Sequence, residues 1–172
     1  MNQTITVLQH NTLNTHVLKQ ILSSALEQYN DKFSLISATL SNQSFDSGRN
    51  QHNAQKILCE IYEQKKSKNW ENCIAITHED IFVDGMTFVF GFASPTGGVC
   101  IVSLNRLVEH STPTQREKER LVKEIAHEVG HIYGLQHCTK NCVMSFSNSI
   151  SEIDSKDSEL CTKCKRTINK PY

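Results

Sequence analysis

Twelve consecutive residues, His127-Glu128-Val129-Gly130-His131-Ile132-Tyr133-Gly134-Leu135-Gln136-His137-Cys138, constrain this chain more than any other stretch. They read H-E-x-x-H-x-x-G-x-x-H-C. On a helix, positions i and i+4 share a face, so His127 and His131 can offer ring nitrogens to one ion. Glu128 sits beside the first of them and can reach a water bound to that ion. Gly134 can end the helix in a left-handed conformation that side-chain-bearing residues adopt at a steric cost. The turned chain then brings back His137 as a third ligand. Three neutral imidazoles with one open position is a catalytic zinc arrangement, whereas a structural site is closed by four protein ligands. The competing reading is an amphipathic helix with ordinary core or surface histidines. A chance match to the whole pattern is expected in well under about 0.1 per cent of chains of this composition.

A second cluster follows at once. Cys138 and Cys142 stand four apart, and Cys161 and Cys164 form a C-x-x-C pair. Four thiolates in two close pairs joined by a loop match a closed tetrahedral zinc site. Free thiols or a redox pair are the other reading. Seven cysteines in 172 residues is an odd, C-terminally weighted count. It suits metal binding in a reducing compartment better than a disulfide framework. Cys59, Cys73 and Cys100 fall in apolar segments and are expected as buried thiols. His137 and Cys138 are adjacent, so the four-cysteine site is expected to anchor the loop that holds His137.

The rest of the chain gives the frame. Thr4 to Leu8 and Phe33 to Leu40 read as strands flanking a helix from Asn14, its cap, to about Gln28. This β-α-β opening favours a parallel pair. A second helix is expected from about Arg49 to Lys66, capped by Asp46 or Ser47. Cys73 to Thr77, Phe88 to Ala93 and Val99 to Leu104 complete five strands. The last two, joined by Ser94-Pro95-Thr96-Gly97-Gly98, are expected to be antiparallel, with Phe88 to Ala93 at the sheet edge. An edge strand can accept an extended peptide as a further strand; a half-buried core strand is the other reading. Pro113 and the Thr114–Glu117 capping pair start the long helix bearing the histidines. Its charge run, Gln115 to Arg120, is expected on a solvated face. His10, His16, His52, His78 and His110 show no ligand pattern.

Lys plus Arg and Asp plus Glu balance at 18 each, which gives no reason to expect a nucleic-acid or membrane-surface partner. The Cys-x-x-Cys-Lys-Arg segment lacks interleaved aromatics for nucleic-acid contact. No stretch approaches a transmembrane span, and Met1 to His10 lacks a leader pattern. The expectation is a soluble, cytoplasmic monomer of one domain over 1–172, with a sheet-and-helix part to 134 and a small zinc-bound part over 135–172.

On these residues the chain resembles the archaemetzincin family of zinc peptidases. The likeness rests on the helix motif, Cys138, Cys142-Val143-Met144 and Cys161-x-x-Cys164. It extends upstream through Arg49-Asn50-Gln51, Thr77-His78-Glu79-Asp80, Phe88 to Ala93 and Ser103-Leu104-Asn105-Arg106-Leu107. The resemblance implies a compact α/β metzincin-like domain with a twisted mixed sheet and a small C-terminal subdomain stapled by zinc. It implies a catalytic zinc on His127, His131 and His137, with Glu128 as general base. It implies a hydrophobic turn at Met144 beneath the metal and a structural zinc on Cys138, Cys142, Cys161 and Cys164. The gaps from Cys138 to Cys142 and from Met144 to Cys161 are one residue shorter than the family pattern. Phe146 stands where some metzincins have a tyrosine. The function implied is peptide-bond hydrolysis. The alternatives are a zinc-stabilised binding module, against which Glu128 argues, and a three-histidine lyase or hydratase, which the helical spacing disfavours.

Overall fold

The computed structural model describes residues 3–10 and 13–168; residues 1, 2, 11, 12 and 169–172, the last four belonging to the expected C-terminal part, lie outside it. The opening is β1 (Thr4–His10), α1 (Thr15–Leu26) and β2 (Lys32–Ser37). Asn14 caps α1 by accepting from the His16 backbone N–H at 2.9 Å. β1 and β2 are parallel, with Ile5 opposite Phe33 and Val7 opposite Leu35.

The second helix starts later than expected. Asp46 Oδ1 instead accepts from the backbone N–H groups of Gly48 and Arg49, closing a turn between β3 (Phe45–Asp46) and β4 (Gln51–Asn53). Asn53 is the cap, accepting from Lys56 N–H at 3.2 Å, and α2 runs Ala54–Lys68. A turn built on an Asx side chain and a left-handed Asn50 competes locally with a helix start, and here it wins. Ile57, Leu58 and Ile61 point inward from α2, which leaves Cys59 between them exposed rather than buried.

β5 (Asn72–Thr77), β6 (Ile81–Phe82), β7 (Gly91–Ser94) and β8 (Val99–Ser103) follow. The main sheet has the order β2-β1-β5-β8-β7, and a small second sheet, β3-β4-β6, was not foreseen. In the main sheet β7 alone runs antiparallel, paired with β8 only, so the expected strand is at the edge. It is shorter than Phe88 to Ala93: the chain at Val89 donates instead to Ile81 O, outside the main ladder.

Alternation along the central strands separates two cores. Ile74 and Ile76, Cys100 and Val102 face α1 and the long helix α3 (Gln115–Ile132). Cys73 and Ala75, Val99 and Ile101 face α2. The thiols of Cys73 and Cys100 are buried, as expected. α3 begins with the expected capping box, Thr114 with Glu117. Its charge run is not all solvated. Glu117 is buried, and Arg120 makes a bidentate pair with Asp154 at 2.7 and 2.8 Å.

α4 (Ile150–Ser155) and α5 (Thr162–Ile168) end the described chain. Cys142, Val143, Met144, Ile153, Leu160 and Ile168 belong to the same buried cluster as Ile5 and Val7. Gln28 clamps this region to the end of α1, accepting from Leu160 N–H at 2.8 Å and donating to Ser158 O at 3.3 Å. No helix among the described residues is long and apolar enough to cross a membrane.

Candidate metal centres and substrate cleft

α3 ends at Tyr133, and Gly134 takes φ +79°. That turn swings His137 back over the helix. One ring nitrogen from each of His127, His131 and His137 lies within 4.8 Å of the others. The Nδ1 atoms of His127 and His131 lie 2.8 and 2.7 Å from the carbonyls of Val143 and Leu135. A carbonyl only accepts, so both rings carry their proton on Nδ1. Both Nε2 atoms then present lone pairs, yet they lie 3.1 Å apart. Two facing lone pairs repel unless a cation lies between them. The donor set therefore fits a metal ion, with carbonyls behind the ligands fixing their tautomers.

Burial lowers the pKa of all three rings, His127 to about 2, and the nearby Lys156 charge adds to this. They are held neutral, as ligands must be. Burial also pushes the Glu128 carboxyl well above its usual range, reinforced by Glu124 and opposed by Lys156. His137 is the exposed member, and Phe146 tilts against its ring at 5.0 Å between centroids. Met144 is fully buried. Gly130, in the helical turn between the ligands, makes room for it: a methyl there would overlap Met144 Sδ and stand 2.9 Å from Tyr29 Oη.

The four cysteine sulfurs also lie within 4.8 Å of one another. The Cys138–Cys161 and Cys142–Cys164 separations are both 3.9 Å. A disulfide needs about 2.05 Å. Zinc–sulfur bonds of about 2.3 Å at tetrahedral angles place sulfurs about 3.8 Å apart. The donor set fits a closed zinc site, and the shortened loops still let it converge. Backbone N–H groups around the start of α5, first that of Cys164, lower the Cys161 pKa to about 6. Burial raises Cys142 and Cys164.

The two clusters are wired together by backbone. Cys138 N–H donates to Met144 O at 2.9 Å, and Val143 N–H donates to Glu159 O at 2.9 Å. Val143 O, next to Cys142, is the carbonyl behind His127.

A cavity of 470 Å³ opens over the histidines, walled by β7 and the segment before it on one side and by Phe146, Ser147 and Asn148 on the other. Gly91 is pressed against the carboxylate: a Cβ there would lie 2.6 Å from Glu128 Cγ and Oε1. Sequence reasoning assigned Gly91 no such role, and one glycine in an apolar strand gave no sign of it. The upstream matching residues also find a purpose. Asp80 accepts from both Arg106 Nε and Nη2 at 2.8 and 2.7 Å and from Gln51 at 2.9 Å. Arg49 Nη2 donates to the carbonyls of Met86 and Thr87, both at 2.9 Å. The Arg106 guanidinium covers the Phe88 ring at 4.2 Å. This network shapes the cavity wall. Of the histidines without a ligand pattern, His10 and His52 flank Glu79 at 3.5 and 3.9 Å, and His110 pairs with Glu117 at 3.0 Å.

A carboxylate beside three converging imidazoles, under a cleft bordered by a sheet edge, fits the class of metal-dependent hydrolases. The family model "Peptidase family M54" matches residues 15–170. Archaemetzincin of Archaeoglobus fulgidus is 33% identical over 162 residues, covering 94% of this chain and 96% of that protein. Archaemetzincin of Pyrococcus horikoshii is 41% identical over 131 residues, 73% of this chain and 70% of its own. Among solved structures, archaemetzincin (AmzA) of Archaeoglobus fulgidus complexed with malonate superposes with a TM-score of 0.81 at 30% identity, covering 95% of this chain and 99% of that one. The zinc-dependent peptidase of Methanocorpusculum labreanum gives 0.85 at 27% identity, with 96% and 100% covered. The chain belongs to peptidase family M54, the archaemetzincins, and is a zinc metallopeptidase.

Proposed function

We propose that this single domain binds two zinc ions and hydrolyses peptide bonds at the three-histidine site, with Glu128 as general base. The facing Nε2 lone pairs of His127 and His131, with both Nδ1 protons committed to carbonyls, are the observation that carries this reading. Bound there, zinc lowers the pKa of a coordinated water toward about 7 and polarises a carbonyl. Glu128 accepts the water proton and returns it to the leaving amine. Its buried setting and the Glu124 charge raise its proton affinity, which suits a group that must hold a proton between the two steps. β7, paired on one side only, accepts an extended peptide along the cleft. Phe146 supplies no hydroxyl, so stabilisation of a developing oxyanion falls to other groups.

Cys138, Cys142, Cys161 and Cys164 hold the second, structural ion. Their thiols in metal-ligand geometry, together with the unpaired Cys73 and Cys100, support a reducing, cytoplasmic setting. The protein in this reading is a monomer acting on peptides, and its balance of 18 basic and 18 acidic residues gives no reason to expect nucleic acid or membrane as partner.

The experiment is zinc quantification per chain beside a peptide-library digest of wild type and Glu128→Ala. The expected result is two zinc in both proteins and cleavage reduced by at least about a thousandfold in the variant. Equal cleavage by both would reject Glu128 as the base. Two zinc with no cleavage of any peptide would favour a zinc-stabilised binding module instead.

A further inference from the structure

Away from β7, the cavity over the histidines is lined by Glu124, Lys156 and Ser147. The Lys156 and Glu124 side chains are 4% and 5% exposed, with Nζ 2.7 Å from Oε1. Desolvating such a pair is costly, and well-packed apolar residues often hold an interior better. A buried pair in the lining of a functional cavity therefore calls for a reason beyond stability.

The hydrogen-bond inventory supplies one. An ammonium has three donors. Lys156 Nζ uses one, toward Glu124 Oε1, and meets no other acceptor among the described residues. Glu124 Oε2 receives no donor among them. Ser147 Oγ is buried without a partner. The cavity lining thus offers ammonium and hydroxyl donors and a carboxylate acceptor.

We propose that this end of the cavity selects a carboxamide side chain, asparagine or glutamine, on a residue flanking the cleaved bond; the proposal rests on the peptidase reading above. The amide oxygen accepts from Lys156 Nζ and Ser147 Oγ, and the amide nitrogen donates to Glu124 Oε2. A carboxylate side chain has no hydrogen for Glu124 and adds a negative charge beside Glu124 and Glu128. A lysine side chain has nothing for Lys156 to donate to. An aliphatic side chain buries the unmatched polar groups without partners, the kind of mismatch that polar sites reject most strongly. Lys156 and Glu124 are specificity residues on this account, and Ser147 supports them.

The test uses two readouts on zinc-loaded protein. A peptide library is digested by wild type, Lys156→Met, Glu124→Leu/Lys156→Met and Ser147→Ala, and the residues flanking each cleaved bond are counted by mass spectrometry. Glutamine, glutamate and leucine versions of one peptide are also titrated onto Glu128→Gln, with and without the double substitution. Wild type should favour Asn or Gln at one flanking position by roughly tenfold or more over Asp, Glu and Leu, with Ser147→Ala weakening this a few-fold. The double variant should prefer Leu or Met. It removes both partners of the pair together and does not strand Glu124, so it keeps the test alive if Lys156→Met fails to fold. Cleavage without amide preference, or a preference that survives the double substitution, overturns the proposal while the peptidase reading stands. Selective binding of the glutamine peptide without cleavage upholds the pocket and rejects hydrolysis. Neither binding nor cleavage rejects both.

Discussion

The histidine cluster and the cysteine cluster share a peptide bond at His137–Cys138 but meet different surroundings. His127, His131 and His137 line the 470 Å³ cavity, and their burial falls from His127 through His131 to the exposed His137. None of the four cysteines lines that cavity. The histidine rings are neutral imidazoles, and two of them, His127 and His131, are held from behind by carbonyls of Val143 and Leu135. The cysteines close on themselves, with sulfur pairs at 3.9 Å. A centre that must leave one position free for substrate cannot be fixed by its ligands alone. Its rigidity comes from the backbone behind it, and part of that backbone is the loop the cysteines tie down.

The most severe way to break this division is Cys161→Ser. If the cysteine centre serves only local folding, the histidine centre should keep its zinc. Because Val143 O orients His127 and Met144 O holds Cys138 N–H, the variant should instead lose zinc from both sites. Zinc per chain should fall from two to well below one, and unfolding should move by several kcal/mol, as for loss of a structural zinc site. A variant holding one full equivalent at the histidines would end the argument for coupling.

Gly130→Ala strikes from the histidine side, through the Met144 side chain rather than the Met144 carbonyl that holds Cys138. The added methyl overlaps Met144 Sδ, so the turn beneath the ligands must shift. Overpacking of this kind costs about 1–3 kcal/mol. Urea unfolding should report that loss, and zinc at the cysteine site should stay at one equivalent. A double variant with Met144→Ala should cost less than the two single changes added together. Simple additivity would mean that the residues do not press on each other.

How much of this was visible in the sequence differs between the two halves of the problem. The convergence of the three histidines and of the four cysteines was legible because metal chemistry demands particular atoms at particular spacings, and those spacings are local. The five strands were legible as short apolar, β-branched runs between turn residues, as at Cys73 to Thr77, which is buried on both faces. The start of α2 was not, since Asp46, Ser47 and Asn53 are all competent caps, and the turn that Asp46 closes ahead of β4 leaves Asn53 to serve as the cap. Cys59 failed because an apolar neighbourhood in sequence is not a face of a helix. The buried Glu117 and the Glu124–Lys156 pair were invisible, because charge in a sequence is read as solvated until a distant partner is known. Arg49, Gln51, Asp80 and Arg106 stood out only as matching residues; their joint hold on the wall of the cleft is a long-range fact.

Gly91→Ala sharpens the contrast by separating chemistry from metal binding. The methyl would fall 2.6 Å from Glu128 Oε1, and its three nearest neighbours all belong to that side chain, so the carboxylate must move. Zinc content should stay at two and the melting temperature should barely move, while kcat falls by about ten- to a hundredfold, as small misplacements of reacting groups do. An unchanged kcat would show that Glu128 need not sit where β7 holds it.

The smallest effect concerns the far end of α3, the helix that delivers two histidines and no cysteine. Burial opposes ionisation of Glu117, but the backbone N–H groups of Glu109 and Thr114, His110 and the Thr114 hydroxyl outweigh it and hold the carboxyl at about 2, against an ordinary 4.5. A depressed folded-state pKa stabilises above the ordinary value, and that contribution is lost as pH falls toward about 2. Glu117→Gln should therefore cost about 1–2 kcal/mol at neutral pH, the range of a lost cap and its charged hydrogen bonds. The gap between variant and wild type should narrow as pH drops from about 4.5 toward 2. Acid also protonates the ligands of both centres and releases zinc, so the difference between the two proteins is the readout, not either curve alone. Urea midpoints taken across this range check it. A gap that stays constant with pH would mean that the stability of the histidine-bearing helix does not draw on the ionised carboxylate at its start.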